Sequence, residues 1–306
     1  MEVQGRNRLP YLASAASAVI FGFSFLFTKT ALDNLDMFQL LGSRFLVAAL
    51  FMFVLKTLGL IEIKITPAKI KSLLLVAVFQ PVLYFIFETV GVDLTSASES
   101  GVLIALIPVA VAVLASLILK ERLSPFQWLS ILASVAGVIL ITIPNFQGSS
   151  GRLAGILALL GAVVAGALYQ IFSRKASSQA SDPSAPVEVT YTMMWVGAAF
   201  FNTLGIAKYA LTGSLASYLK AFTSAETVTA ILYLGLLSSV AAFFCMNYAL
   251  SHLTASRSAV FINLTPVVSV LAGVLFRGEH FAPIQILGAA IVLLGVWGVG
   301  QTSGGH

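Results

Sequence analysis

Residues 97–141 read ASESGVLIALIPVAVAVLASLILKERLSPFQWLSILASVAGVILI, and the pattern returns 158 residues later, at 255–299, as ASRSAVFINLTPVVSVLAGVLFRGEHFAPIQILGAAIVLLGVWGV. Laid over one another without a gap, the two stretches are identical at 15 of 45 positions. The matches include residues that apolar composition alone does not produce: Pro108 with Pro266, Glu121 with Glu279, Pro125 with Pro283, Gln127 with Gln285 and Gly137 with Gly295. The chain therefore contains an internal repeat. Each copy holds two hydrophobic segments joined by a short polar turn.

Composition says where such a chain lives. It is 58% hydrophobic and 9% charged, with a mean hydropathy of +0.98, whereas a soluble domain carries about a quarter charged residues. This is an integral membrane protein. Its backbone must satisfy its own hydrogen bonds in lipid, and long continuous apolar runs rather than alternating ten-residue strands mean helices, not a barrel. The net charge of +5 is spread over short loops and forms no basic patch with interleaved aromatics, which argues against a nucleic-acid partner. A single cysteine, Cys245, excludes an internal disulfide and a cysteine-based metal site. The first apolar stretch lacks a small-residue cleavage pattern and is expected to be a retained helix.

Runs free of Asp, Glu, Lys and Arg cover 9–28, 101–119, 123–151, 153–173, 189–207, 227–256, 258–276 and 280–306. Each is long enough to cross a hydrocarbon layer of ~30 Å. Residues 37–55, interrupted by Arg44, and 72–87, ending at Glu88, bring the expected total to ten transmembrane helices, five per half. The halves are 1–147 and 148–306, with the break at the Gly- and Ser-rich NFQGSSGR of residues 145–152. With the N-terminus in the cytoplasm, eleven Lys and Arg fall on the inner loops and five on the outer ones, as the positive-inside rule requires. Both termini are then cytoplasmic, in the cell's inner (plasma) membrane. An odd number of helices per half puts Glu121 on the inner turn and Glu279 on the outer one, so the two five-helix repeats are inverted. Inverted repeats let one fold open to opposite sides, the arrangement of alternating-access carriers.

At these residues the chain resembles a family. An early helix ends in Lys29, Arg44-Phe45 follows in helix 2, and each half carries Ala-Ser, then Pro, then Glu before its final helix. The pattern resembles the EamA branch of the drug/metabolite transporter superfamily. That resemblance implies a ten-helix inner-membrane carrier that exports small metabolites, often amino acids. It also implies a central cavity, with helices 5 and 10 at the periphery and often at a homodimer contact.

The candidate site residues follow from this frame. Pro108 and Pro266 lie inside helices 4 and 9 at equivalent positions, where proline kinks a helix; they are candidate hinges or static packing features. Glu88 and Glu99 are expected near the outer ends of helices 3 and 4, either solvated there or paired with Lys29 and Arg44 in an outer gate or amine-binding cluster. Intramembrane arginine needs a partner, so Arg44 reads as neutralised structurally more than as a substrate contact. Arg257 replaces Glu99 in the second copy and stands with Asn247, His252, Arg174 and Lys175 as a candidate inner cluster, although inner positive charge alone accounts for most of these. Helices 1, 3, 4, 6, 8 and 9 should line the cavity. Their polar residues Ser24, Thr28, Gln80, Tyr84, Ser98, Tyr169, Gln170, Asn247, Tyr248, Asn263 and Thr265 are candidates for the small-molecule substrate or for interhelical bonding. Glu121 and Glu279 read as structural, complementing the dipole of the helix that follows each.

No phosphate loop, H-E-x-x-H or G-x-S-x-G motif occurs, so neither direct ATP use, a zinc-protease site nor a serine-hydrolase elbow is expected. No cofactor, metal or catalytic residue is expected. A channel-like pore, or a membrane-embedded enzyme using Glu88 and Glu99, stands as the alternative.

Overall fold

The computed structural model describes residues 9–118, 123–142, 150–178, 185–212, 222, 224–252 and 264–301. All regular secondary structure among them is helical. In chain order the helices are α1 (Leu9–Leu32), α2 (Met37–Thr57), α3 (Pro67–Ala77), α4 (Tyr84–Leu94), α5 (Ala97–Ile104), α6 (Ile107–Ile118) and α7 (Pro125–Thr142). They continue as α8 (Ser150–Ser178), α9 (Ala185–Leu211), α10 (Ala225–Leu232), α11 (Phe243–His252), α12 (Leu264–Arg277) and α13 (Pro283–Gln301). A kinked stretch, Val78–Leu83, in which Gln80 has extended backbone angles, joins α3 to α4, and a π-helical stretch, Tyr233–Ala242, joins α10 to α11. Shifted by the repeat of 158 residues, the first stretch falls on 236–241, inside the second.

Seven helices among the described residues are long and apolar enough to cross a membrane, and Pro125–Ile141 and Leu264–Arg277 are shorter apolar helices. The 27-residue α9 carries Glu188 in its first turn and Lys208 in its last, with an apolar middle between them. This is a multi-span membrane protein.

Local sequence explains where helices begin. Asp36 and Gln39 form a reciprocal capping box at the start of α2: Asp36 Oδ1 accepts from Phe38 N and Gln39 N, while Asp36 N donates to Gln39 Oε1. Ser124 and Gln127 repeat the device at α7, with Pro125 as first helical residue. In α13 Pro283 again comes first, and Ala282 N donates to Gln285 Oε1.

Helix 4 is interrupted just before Pro108: α5 ends at Ile104, Ala105 and Leu106 form a turn, and α6 runs on from Ile107. Pro108 stands just past this break, inside the apolar span Ala97–Ile118, where a proline removes one intrahelical hydrogen bond. Pro266 is the third residue of α12, and the chain just before that helix lies outside the described residues.

The helices bury one large apolar core, around Phe45, Phe85, Leu103, Met193 and Phe201. A second, smaller cluster of Ala31, Leu35, Leu40, Ala230, Ile231 and Leu234 closes α1, α2 and α10 at the end where α1 turns into α2. α7 and α13 pack along a seam of small residues: a Cβ on Gly137 would meet Gly288 O at 2.6 Å, and one on Gly295 would meet Ser130 O at 2.6 Å. Gln127 Nε2 donates to Val299 O at 3.3 Å and Gln285 Nε2 to Ile141 O at 3.1 Å. Donors and acceptors in these two bonds are repeat mates. Expected as peripheral, α7 and α13 do expose Trp128, Leu129, Leu132, Leu287, Leu294 and Trp297, but their small-residue faces are spent on each other.

Candidate functional site

Arg44 is the eighth residue of α2 and 2% exposed. Its Nε donates to Ser239 Oγ at 2.9 Å and its Nη2 to Ser238 Oγ at 3.1 Å, both on the π-helical stretch Tyr233–Ala242. The guanidinium carbon lies 4.4 Å from the centre of the Phe85 ring and 5.8 Å from that of Phe45. Serine hydroxyls and aromatic faces thus replace water around the cation, by hydrogen bonding and by the ring quadrupole. Ser238 and Ser239 are the repeat positions of Gln80 and Pro81, so the matched irregular stretches of the two halves both carry polar or helix-breaking residues. Gln80 itself is buried, with extended backbone angles inside its helix. π-Helical turns such as those of Tyr233–Ala242 concentrate at functional sites.

Glu88 faces this cation from α4. Its expected place at the end of helix 3 is corrected: the helix runs on to Leu94, and Glu88 is 2% exposed. Thr89 Oγ1 donates to Glu88 Oε2 at 3.5 Å, a weak bond. Arg44 feels the Glu88 charge, yet the ion pairs among the described residues run elsewhere. Tyr84, one turn before Glu88, is buried and edge-on to Phe85 at 4.9 Å between centroids. Arg44 on α2 and Tyr84, Phe85 and Glu88 on α4 are all buried, with the Phe85 ring against the Arg44 guanidinium.

The profile of the EamA-like transporter family matches this chain twice, over residues 8–143 and 153–301. The chain belongs to the EamA-like transporter family. "Uncharacterized transporter YcxC" of Bacillus subtilis is 32% identical over 289 residues, 94% of this chain and 91% of that protein. An "Uncharacterized transporter" of Archaeoglobus fulgidus is 25% identical over 288 residues, 94% of this chain and 97% of that protein. The "Probable terminal-alkyne amino-acid exporter" of Streptantibioticus cattleyicolor is 26% identical over 200 residues, 65% of this chain and 63% of its own length. One solved crystal structure shares the fold with a TM-score of 0.63 at 16% identity, covering 96% of this chain and 98% of its own. These findings place the protein among transporters rather than enzymes.

The remaining candidates of this EamA-like transporter fall into separate groups. Lys29 does not meet Glu88 or Glu99: its Nζ donates to the carbonyls of Val92 and Asp93 at the end of α4. A helix C-terminus offers free carbonyls and the negative end of the dipole, which suits a lysine. Glu99 meets neither Lys29 nor Arg44. It is buried in the first turn of α5, where Arg152 Nη2 donates to its Oε1 at 2.6 Å and Gln285 Nε2 to the same atom at 2.9 Å. The expected four-charge cluster is thus dispersed: Arg44 and Glu88 share one region, while Lys29 and Glu99 bond elsewhere, each to different partners.

Ser24 and Thr28 are buried on α1. Ser24 Oγ donates back to Phe21 O at 2.6 Å, and Thr28 Oγ1 makes no hydrogen bond. Tyr169 is buried on α8, and Gln170, one residue on and turned 100° from it, is exposed. Thr265 Oγ1 donates to Ala18 O at 3.3 Å and Ser98 to Glu279, while Tyr248 is half-buried. Asn263 and Arg257, and the side chains of Asn247, His252, Arg174 and Lys175, lie outside the described residues.

Glu279 was expected to serve the helix that follows it. It caps α5 in the other half instead, accepting from Ala97 N at 2.8 Å, Ser98 N at 3.0 Å and Ser98 Oγ at 2.5 Å. Sequence reading also missed Ser238 and Ser239 beside Arg44, and Gln285 beside Glu99. The duplication of Gln127 as Gln285 was the available signal for the second; nothing local marked the serines.

Proposed function

We propose that this protein is a secondary carrier that exports small amphipathic metabolites, amino acids foremost, across the plasma membrane by alternating access. In this reading ten helices cross the membrane as two inverted five-helix halves, 1–147 and 148–306, with both termini in the cytoplasm. The observation that carries it is the pair of buried, opposite charges Arg44 and Glu88, on α2 and α4, which form no ion pair with each other. An intramembrane charge costs about 2.5–3.5 kcal/mol on the lenient insertion scale, and a chain that holds two apart keeps each available for a third partner. A zwitterion offers both missing charges, a carboxylate for Arg44 and an ammonium for Glu88, and Phe85 and Tyr84 suit an apolar side chain. The repeat-matched bonds of Gln127 and Gln285 support two halves related by a two-fold axis.

The test is counterflow in proteoliposomes loaded with each of a panel of unlabelled amino acids, following uptake of a labelled trace. Accumulation with an amino acid, lost in Arg44→Lys and Glu88→Gln proteins that remain folded, is the expected result. Silence of the wild type across the panel would overturn the substrate class. Retained counterflow in both variants would remove Arg44 and Glu88 from the site.

A further inference from the structure

We infer that Glu279 is the latch that holds one end of the transport path shut, a positioning role in the proposed carrier that rests on the alternating-access reading. Glu279 sits in the turn between α12 and α13 in the second copy of the repeat, while the amides it accepts belong to α5 in the first. Its carboxylate takes two backbone N–H groups and the Ser98 hydroxyl, so it occupies the positive end of the α5 dipole. The space around it is cut to fit: a Cβ on Gly273 would run into Glu279 Oε2 and the Ser98 hydroxyl. Ser269 Oγ, on the same face of α12, donates to Ala97 O at 2.7 Å, and Gly101 leaves room for the Ser269 side chain.

Other bonds gather at the same end. Arg277 reaches back to Asp33 at 2.9 Å, Lys29 holds the end of α4, and Arg152 and Gln285 both grip Glu99. Together with the apolar cluster of Leu35, Leu40 and Leu234, they seal the end where α1 meets α2. Opening that end must part α12 from α5. Glu279 makes the most directional contact between them, and a bond to helix N–H groups can break and re-form without leaving a buried charge, because water replaces either side. This describes a switchable closure better than permanent packing.

The experiment measures the closure itself. Nitroxides on Leu94→Cys and His280→Cys, both exposed and flanking the latch, in a Cys245→Ser background, report the distance across this end in nanodiscs. The wild-type chain should show one short distance, and Glu279→Gln a second, longer population. Gly273→Ala, which crowds the carboxylate from behind without touching its charge, should show the same second population. Thermal midpoints measured alongside separate the roles: a latch moves the distances, whereas a merely structural cap lowers the midpoint and leaves one short distance. Identical single distances in wild type, Glu279→Gln and Gly273→Ala would overturn the latch. Wild-type counterflow, measured in proteoliposomes made from the same purified protein, is judged separately, and its absence for every amino acid would overturn the substrate class whatever the distances do.

Discussion

Asp36 shows how much one side chain does at a helix start. It caps α2 through Phe38 N and Gln39 N, and its other oxygen accepts from Lys208 Nζ at 2.9 Å and Tyr209 Oη at 2.7 Å. Partial burial works against its charge, but the bonds from Lys208, Tyr209 and the Gln39 amide outweigh it and hold the carboxyl below its usual value. A depressed folded-state pKa means stability that is present above the unfolded pKa of about 3.9 and lost as pH falls through the folded one. Asp36→Asn should therefore lower the thermal midpoint at neutral pH, and the gap to wild type should close as pH falls below about 4; a constant gap at all pH values would refute this. At Arg44 the serines matter more. Ser239→Ala removes an acceptor from a buried cation and should cost about 1.5–3 kcal/mol in denaturant titrations in detergent, far more than the same change at half-buried Ser116.

Among the elements, the α7–α13 pair carries the sharpest expectation. Helices in lipid gain little from hydrophobicity and associate by close packing of small residues and by interhelical hydrogen bonds. Gly137, Gly288 and Gly295 let the backbones touch, and Gln127 and Gln285 fasten each helix start to the other helix's end. Gly137→Leu should push the helices apart and destabilise by about 1–3 kcal/mol or more, while Leu132→Ala, on the exposed face of α7, should leave the midpoint nearly unchanged. Equal effects would mean that the seam is not a close-packed one. The duplicated Pro, Gln and Gly of 125–137 and 283–295 made these two helices legible as a matched pair. Their contact with each other was not legible, since an apolar helix with small residues fits many neighbours equally well. Pro108 was legible as an irregularity in an apolar run, and the chain does break at Ala105 and Leu106 just before it.

Across the whole molecule, the proposed orientation is open to direct test. Charged bonds gather at the end that holds Asp33, Glu99, Arg152, Arg277 and Glu279, and the opposite end holds Glu62, Lys64, Lys69 and Glu188. Single cysteines at His280 and Glu62, again in a Cys245→Ser background, should react with a membrane-impermeant maleimide from opposite sides of intact cells: His280→Cys from outside, Glu62→Cys only after lysis. The reverse pattern would invert the topology, and labelling of both from one side would end the reading of an odd number of spans between them. Membrane residence, helicity and duplication were written in the sequence, because hydropathy and repetition are properties of neighbouring residues and of composition. The pairing of charges was not. Arg44 rests on Ser239 across 195 residues of chain, Glu99 on Gln285 across 186 and Ala97 on Glu279 across 182. A buried charge must find some partner, but which one it finds is set by how the helices cross, and only the tertiary structure decides that.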